Sequence, residues 1–557
     1  MSEAALSRQL QNIATELTGS PAEVHLERPR NPDHGDLATN LALALGKQLG
    51  TAPRQVAELI IAKIDLAAAG VQKPEIAGPG FINFRFTSAQ VHAHVASIIA
   101  ADAGFGRAQV TGLRYQVEFV SANPTGPLHV AHGRGAALGD GIASLLEWSG
   151  NTVEREFYVN DAGVQIDRLA ESLEARIHAI SGAAVEIPDG GYHGEYLVEM
   201  AQDVASTREE LLTLPREERI RALRDHAVNA LRNEQDQDLR EFGVIFDSYF
   251  LETTLYAEDR LAETLSELNT AGLTYDADGA TWLRSSAFGD DKDRVLVKKD
   301  GAFTYFLPDI AYHRDKLRRF DHGINIWGAD HHGYVPRMQA ALRALGHSDF
   351  LDVEIVQMVR IMRGGKEAKF SKRSGDFVTL RELIDETGRD VARYFFLMRR
   401  GDTQMLFDLD LALDQSDKNP VYKVQYAHAR IMSILRKAGV EPASVQATSE
   451  ELALLTDARE QDLIKQISTF PAVVERAAKA RAPHMICEYL ETTAAEVNSW
   501  YHAGNPSRNP ALAVLAPDPA LRNARLALAR ATQIVLRNGL LLLGLNAPDQ
   551  MNREDSE

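Results

Sequence analysis

Two histidines three residues apart, His129 and His132, stand in the stretch ANPTGPLHVAHGRG (122–135), among two prolines and three glycines. At a helix start, unpaired backbone N–H groups and a positive partial charge make phosphate the natural guest, and both imidazoles can donate hydrogen bonds to its oxygens. Pro124, Gly126 and Pro127 stiffen the approach. Two other readings stay open at this point: an HxxH metal pair, for which no third ligand is evident nearby, and a pair of helix-capping histidines. A second stretch, GGKEAKFSKRSGDFVTLREL (364–383), sets Lys366, Lys369, Lys372 and Arg373 in a loop rich in glycine and serine, and the capping box Thr379…Glu382 opens a helix after it. Such a loop can close over a polyphosphate and neutralise charge developing in a transition state. Alone it also reads as a solvated basic run. The two stretches together are far more specific than either.

The elements around them supply the positions. RYQVEFVS (114–121) alternates as a strand with Tyr115, Val117 and Phe119 on one face; Leu138, Ile142, Leu145 and Leu146 form a helical stripe ending at Gly150; TVEREFYV (152–159) alternates again. Strand, glycine-rich turn, helix and strand make a βαβ unit of a parallel sheet, and open α/β sheets bind ligands where the first strand ends. Residues 165–290 are dominated by charged helical segments such as LRDHAVNALRNEQDQDLREFG, which predicts a helical insertion. Strand signals return in RVLVKKDGAFTYFL, a hairpin turned at Asp300–Gly301, and in INIWGAD and VEIVQMV. From about 420 onward helix follows helix. Ahead of the sheet, LSRQLQNIATEL and GPGFINFRF mark a small α+β unit. The expected architecture is therefore a Rossmann-like α/β catalytic domain with a parallel sheet (111–415, insertion about 165–290), a small α+β N-terminal domain (1–110) and an all-α C-terminal bundle (416–557).

A chain of 557 residues, 45% hydrophobic and 25% charged, exceeds what one core supports. The single cysteine, Cys487, excludes an internal disulfide and a cysteine-rich zinc cluster. A net charge of −18 argues against a globally basic nucleic-acid binder, but residues 421–547 carry 14 Lys and Arg against 11 Asp and Glu, net +3. The sequence shows neither a long apolar run nor a signal pattern, so a cytoplasmic chain with no membrane partner is expected.

HVAH followed far downstream by KFSKR resembles the HIGH and KMSKS signatures of class I aminoacyl-tRNA synthetases. VEFVSANPTGPLHVAHGRGAALGD, FYVNDAGVQI, GADHHGYVPR and YKVQYAHARI are similar to bacterial arginyl-tRNA synthetases in particular, over a span running from GDLATNLALAL to the C-terminus. The resemblance implies a ligase that joins arginine to ATP as arginyl-adenylate, then esterifies the 3′-terminal adenosine of its tRNA, with tRNA needed for activation. It implies His129, His132, Lys369 and Lys372 as catalytic groups, and an ATP site of Pro127, Ala131, Gly133, Phe370, Ser371 and Arg373, with Mg²⁺ accompanying the nucleotide and no metal, zinc included, held by the protein. Family pattern puts arginine against Glu118, Ser121, Asn123, Tyr305, Asp309, Asp330 and His331, and tRNA against Phe81, Asn83, Tyr422, Gln425, Tyr426 and Arg430. A guanidinium, planar and always charged, needs fixed carboxylates, which suits Glu118 and Asp309. Taken without the family, Glu118 reads as a surface carboxylate, Asp309 as a helix cap, and Phe81 and Tyr426 as core. A monomer is expected. Two departures from the signatures stand out: Ala131 replaces a glycine that lets adenine lie close, and Phe370 replaces a methionine of similar volume. A cysteinyl relative would need a cysteine zinc site; a ligase acting without RNA would have no use for the helical tail; a non-catalytic tRNA-binding relative has only Ala131 in its favour.

Overall fold

The computed structural model describes residues 2–29, 31–161, 163–180, 182, 184, 186–368, 378–505 and 509–551. The chain packs as two compact units. One takes the residues up to Phe105 together with Arg430–Thr469 and Ala495–Val535; the other takes Gly106–Ala429, Phe470–Ala494 and the segment from Leu536. In the first unit, strands β1 (Leu37–Thr39), β2 (Glu75–Ala77) and β3 (Phe81–Phe84) form an antiparallel sheet with β3 in the middle. Helices cover it with buried Leu6, Leu10, Val56, Ile60, Val95 and Ile98.

The second unit is built on a five-stranded sheet. Its strands are β4 (Arg114–Glu118), β5 (Thr152–Val159), β6 (Ser248–Leu251), β10 (His322–Gly328) and β11 (Leu351–Val356). They lie in the order β11–β10–β4–β5–β6, every neighbouring pair parallel. The chain leaves β4 to one side through β5 and β6 and returns on the other through β10 and β11, so the C-terminal end of β4 is the switch point where such sheets open a crevice. The helix Val130–Trp148 lies directly on the sheet because Gly139 has no side chain: a Cβ there would stand 2.2 Å from Cγ of Phe119. Arg155 on β5 holds the same helix, donating to Asp140 at 2.7 Å and Glu147 at 2.6 Å.

The helical insertion ends well before residue 290. Helices Val164–Ile180, Glu195–Thr207 and Arg216–Glu241 enclose a core of Leu169, Leu173, Leu197, Val204, Leu223 and Leu231. Beyond them Ser248–Leu251 is an edge strand of the parallel sheet, while Thr274–Ala277 (β7) and Ala280–Leu283 (β8) pair antiparallel and join β9 (Arg294–Val297). Four-residue strands, half-buried on both faces, are too short to show a period of two against a helical background. The hairpin at Asp300–Gly301 forms only in part. Gly301 takes a φ of +81° and the Lys298 N–H donates to Ala302 O at 2.8 Å, but after a single Val297–Phe303 bridge the chain enters the helix Phe306–Arg319. Leu307, Ile310 and Ala311, at i, i+3 and i+4, bury there in a cluster with Leu296, Met338 and Leu342, which outweighs the strand propensity of FTYF. Burial of each large side chain contributes about 1.5–3 kcal/mol. A last sheet joins β12 (Val359–Arg363), β13 (Lys366–Glu367) and β14 (Met405–Asp408). No helix among the described residues is long and apolar enough to cross a membrane.

Candidate active site

β4 ends in a strained turn, with Val120 at a φ of +66° and Ser121 at +42°, a region side-chain-bearing residues seldom adopt. The Ser121 hydroxyl ties this turn together: it donates to Glu118 Oε1 at 3.0 Å and accepts the Tyr158 N–H at 3.2 Å. Ten residues after β4 the chain reaches the histidines. His129 is the N-cap of the helix Val130–Trp148; its Nδ1 accepts the His132 N–H, and His132 Nδ1 accepts the His129 N–H, each at 3.3 Å. The rings stack 3.6 Å apart at 16°. An imidazole whose Nδ1 accepts carries its proton on Nε2 when neutral. Burial, with the neighbouring imidazole adding to it, pushes His132 down to about 3, and burial lowers His129 too. Burial thus disfavours the charged form of both rings, and their mutual capping through Nδ1 is compatible with donation from Nε2.

Pro127 and Ala131 are half-buried beside them. Gly133 is buried and faces Leu380, whose Cδ1 would stand 2.6 Å from a Cβ at that position. The histidine helix thus packs tightly against the residue that begins the helix Leu380–Thr387. Backbone pairing reinforces this, since the Val130 N–H donates to Val378 O at 3.1 Å and the Leu380 N–H to Leu128 O at 2.8 Å. At the other end the Ala368 N–H donates to Ile361 O of β12 at 2.8 Å. Lys369, Phe370, Ser371, Lys372 and Arg373 lie outside the described residues; the described chain stops at Ala368, bonded to β12, and resumes at Val378, paired to the histidine turn.

Across the sheet end, the helix Phe306–Arg319 turns a second, ionisable stripe inward: half-buried Asp309, then His313 and Lys316, both buried, at i, i+4 and i+7. Lys316 donates to Glu118 Oε2 at 2.5 Å and to Asn325 Oδ1 at 2.8 Å. Glu118 is thus neutralised inside the fold, one oxygen on Lys316 and the other on Ser121. Glu156 on β5 is likewise held, by Arg319 at 2.8 Å and Tyr312 at 2.7 Å. Asp309 differs. Its carboxylate accepts the Tyr334 hydroxyl, and burial pushes it up to about 7, with the charges of Glu252 and Glu118 acting in the same direction and that of Arg337 against it. Glu252, just after β6, is also raised, by burial first and by Asp161 in addition; Tyr256, at 3.3 Å, and Tyr158 donate to it. Glu252 is the functional candidate that sequence reasoning passed over: it fell within the supposed insertion, and its signal was a carboxylate following the apolar run YFL.

The other candidates spread more widely. Asn123 is half-buried and donates to Gln165 Oε1 at 2.7 Å. Tyr305 caps the helix Phe306–Arg319 and is 77% exposed. Asp330 and His331 are exposed on the turn after β10, 3.4 Å apart. In the first unit Asn83 is buried in the middle strand, whereas Phe81 is half-exposed. On the helix Pro420–Ala438, Tyr422 is buried and stacks on half-exposed Tyr426 at 5.8 Å. Gln425 is buried and donates to Asp390 at 2.7 Å and Asn546 O at 2.9 Å. Arg430 contacts Asn498 and lies over the Tyr501 ring at 4.5 Å. Among the described residues no cluster of three or more His, Cys, Asp or Glu side chains is arranged to hold a metal ion.

The parallel sheet carries a histidine turn at its switch point, and residues 94–405 match the family model described as "tRNA synthetases class I (R), catalytic domain". Residues 2–86 match "Arginyl tRNA synthetase N terminal domain" and residues 424–551 "DALR anticodon binding domain". Arginine–tRNA ligase 1 of Halalkalibacterium halodurans is 46% identical over 534 residues, 95% of this chain and 94% of that one. The arginine–tRNA ligase of Bordetella pertussis is 46% identical over 554 residues, 97% of each chain. A putative arginyl-tRNA synthetase structure from Campylobacter jejuni superposes with a TM-score of 0.76 at 33% identity, covering 84% of this chain and all of that one. The Thermus thermophilus arginyl-tRNA synthetase, at 24% identity, shares the fold with a TM-score of 0.78 over 99% of this chain and all of that one. The chain belongs to the arginyl-tRNA synthetases.

Proposed function

We propose that the chain activates L-arginine with ATP at the C-terminal edge of its parallel sheet and passes the arginyl group to the 3′-terminal adenosine of its tRNA, with tRNA required for activation. In the first step a carboxylate oxygen of arginine attacks the α-phosphorus and pyrophosphate leaves; in the second, the terminal adenosine's 2′-hydroxyl attacks the acyl carbon and AMP leaves. The displacement at phosphorus moves no proton, so positioning and charge stabilisation carry its rate; in the second step the 2′-hydroxyl proton leaves with the phosphate of AMP. The Nε2–H groups of His129 and His132 and the helix N-terminus receive the phosphates. The positive charge comes from Lys369 and Lys372, with Phe370, Ser371 and Arg373 lining the nucleotide beside Pro127, Ala131 and Gly133. ATP enters as its Mg²⁺ complex. The chain acts as a monomer in the cytoplasm.

Asp309 and Glu252 take the guanidinium, with Tyr305 at the entrance and Asn123, Asp330 and His331 toward the other end of the substrate; Ser121 and Lys316 fix Glu118 beneath them. The observation that carries this reading is Asp309, a half-buried carboxyl at the sheet end that accepts the Tyr334 hydroxyl and is raised to about 7 by desolvation and the like charges of Glu252 and Glu118, which is what a cationic side chain would relieve. Phe81, Asn83, Tyr422, Gln425, Tyr426 and Arg430 belong to the tRNA-facing parts, where Tyr426 and Phe81 keep exposed ring surface for stacking on unpaired bases. ATP–pyrophosphate exchange with each amino acid, with and without tRNA, tests the proposal. Exchange with arginine alone among the amino acids, and only when tRNA is present, is expected. Exchange with another amino acid would overturn the arginine assignment, and robust exchange without RNA would remove the tRNA requirement.

A further inference from the structure

The turn that carries the histidines is held mainly by side chains from elsewhere in the sequence. Between Asn123 and Gly126 its own backbone makes one hydrogen bond, Thr125 N–H to Asn123 O at 2.8 Å. Each of the three helices of the insertion then reaches it. Gln235, on Arg216–Glu241 and only 2% exposed, donates both amide hydrogens to the turn, to Gly126 O at 2.8 Å and Asn123 O at 3.2 Å. Tyr196, on Glu195–Thr207, donates to Thr125 O at 2.6 Å. Gln165, on Val164–Ile180, accepts from the Asn123 side chain at 2.7 Å. One helical turn beyond Gln235, buried Asp238 takes Arg381 through Nε at 2.9 Å and Nη2 at 2.6 Å, and Glu241 accepts from the same guanidinium. Arg381 follows Leu380, the residue packed over Gly133 and bonded to Leu128 O. The insertion has its own buried core, so these groups stand on a block packed independently of the turn.

We propose that the helical insertion sets the geometry of the nucleotide site: Gln235 and Tyr196 are positioning residues for the phosphate-binding turn, and the Asp238–Arg381 pair fixes the segment that follows the lysine loop to the same helix. This inference rests on the reading of the histidine turn as the ATP phosphate site. The carbonyls of Asn123, Thr125 and Gly126 each accept from a donor of the insertion, so the chain from 123 to 126 is tied to it at three points, and the helix start carrying His129 and His132 follows directly from there. Displacement of such a turn by a fraction of an ångström misplaces the α-phosphate relative to the arginine carboxylate, and displacements of about 1 Å cost on the order of a hundredfold. Arginine is gripped at its guanidinium by Asp309 and Glu252 on other elements, so of its contacts only that with Asn123 moves with the turn.

The test is tRNA-dependent ATP–pyrophosphate exchange by the full chain, comparing wild type with Gln235→Leu and Tyr196→Phe. Gln235→Leu keeps the volume but leaves Gly126 O without its donor and Asn123 O with only the Thr125 N–H, and kcat/KM for ATP should fall about tenfold, the scale of one buried hydrogen-bond partner removed. Tyr196→Phe, which keeps the ring and its packing, should cost about threefold. In both, the KM for arginine should stay within about a factor of three and the melting temperature within a few degrees. Unchanged ATP kinetics in both variants would overturn the proposal, and so would a parallel loss toward ATP and arginine accompanied by a falling melting temperature, the mark of general packing damage. Failure of the wild-type chain to exchange with arginine would count against the proposed function instead.

Discussion

The two halves of the site meet opposite charges by opposite means. The histidine turn, proposed to receive a polyanion, lowers charge at its donors: burial disfavours the charged form of both imidazoles, and mutual capping through Nδ1 leaves Nε2 to carry the proton. The proposed arginine pocket keeps carboxyls out of water, with half-buried Asp309 raised to about 7 and buried Glu252 also raised. The first half is preorganised and electrically quiet, with charge delivered by a loop. The second stores electrostatic tension that the substrate relieves. Under the proposed function, specificity for the amino acid resides in the half that costs the folded protein something, and the nucleotide half is built for geometry.

The largest effect that can break this contrast is Asp309→Asn, which faces a guanidinium with a neutral amide. It should lower kcat/KM for arginine about a hundred- to a thousandfold, the range for removing one partner of a buried charge pair. The same substitution should stabilise the empty protein. A carboxyl whose folded pKa lies above its unfolded value favours its neutral form in the fold, so its ionisation destabilises the fold progressively from about pH 4 up to about 7. Asparagine is never ionised, and above pH 7 the melting temperature should rise by about 2–4 °C. Glu252→Gln should follow with a loss of about ten- to a hundredfold. A drop in melting temperature for Asp309→Asn would mean the carboxylate stabilises the empty fold, and the contrast fails.

His132→Ala should slow adenylate formation by roughly a hundredfold through loss of a preorganised donor, and Lys372→Ala by a similar factor through loss of charge. Arginine KM should move little in either. Because His132 sits near 3, the rate should show no histidine inflection between pH 6 and 8. An inflection that vanishes in His132→Ala would show a charged imidazole at work. Next in size is the pH dependence of arginine binding. The guanidinium selects ionised Asp309, so arginine KM should be flat above about pH 7 and rise toward tenfold per unit below it, and the rise should be absent in Asp309→Asn. A flat wild-type profile from pH 6 to 8 would remove Asp309 as the titrating contact. Smallest is Ala131→Gly. One methyl at the helix start leaves the fold undisturbed, and ATP KM should fall by no more than about threefold with little change in thermal stability. An unchanged or higher ATP KM would show that the pocket already accommodates the methyl.

How much of this was legible in sequence follows from how far apart the parts lie. His129 and His132 are three residues apart at a helix start, so their type, spacing and flanking prolines suffice to place them at the end of a strand. The parallel sheet announced itself through RYQVEFVS and TVEREFYV, whose alternation is long enough to register. The arginine half comes from residues 118, 252 and 309, and nothing local joins them. Glu252 was hidden because SYFL is too short a strand to stand out beside a long charged helix. Glu118 was visible as a carboxylate, but its partner Lys316 lies 198 residues away, on a helix whose first turns read as a returning strand. Gln235 looked like one polar residue in NEQDQD. Its value comes only from the carbonyls of Asn123 and Gly126, more than a hundred residues earlier.

The most direct test of the charge-selecting pocket compares arginine with citrulline, which replaces the guanidinium by a neutral group of nearly the same shape, as substrate and competitor in tRNA-dependent exchange. In wild type the ratio of kcat/KM for arginine to that for citrulline should be large, and in Asp309→Asn it should shrink at least tenfold, with most of the loss on the arginine side. A ratio unchanged by Asp309→Asn would contradict the account, since the carboxyl would then have no part in recognising the substrate's charge.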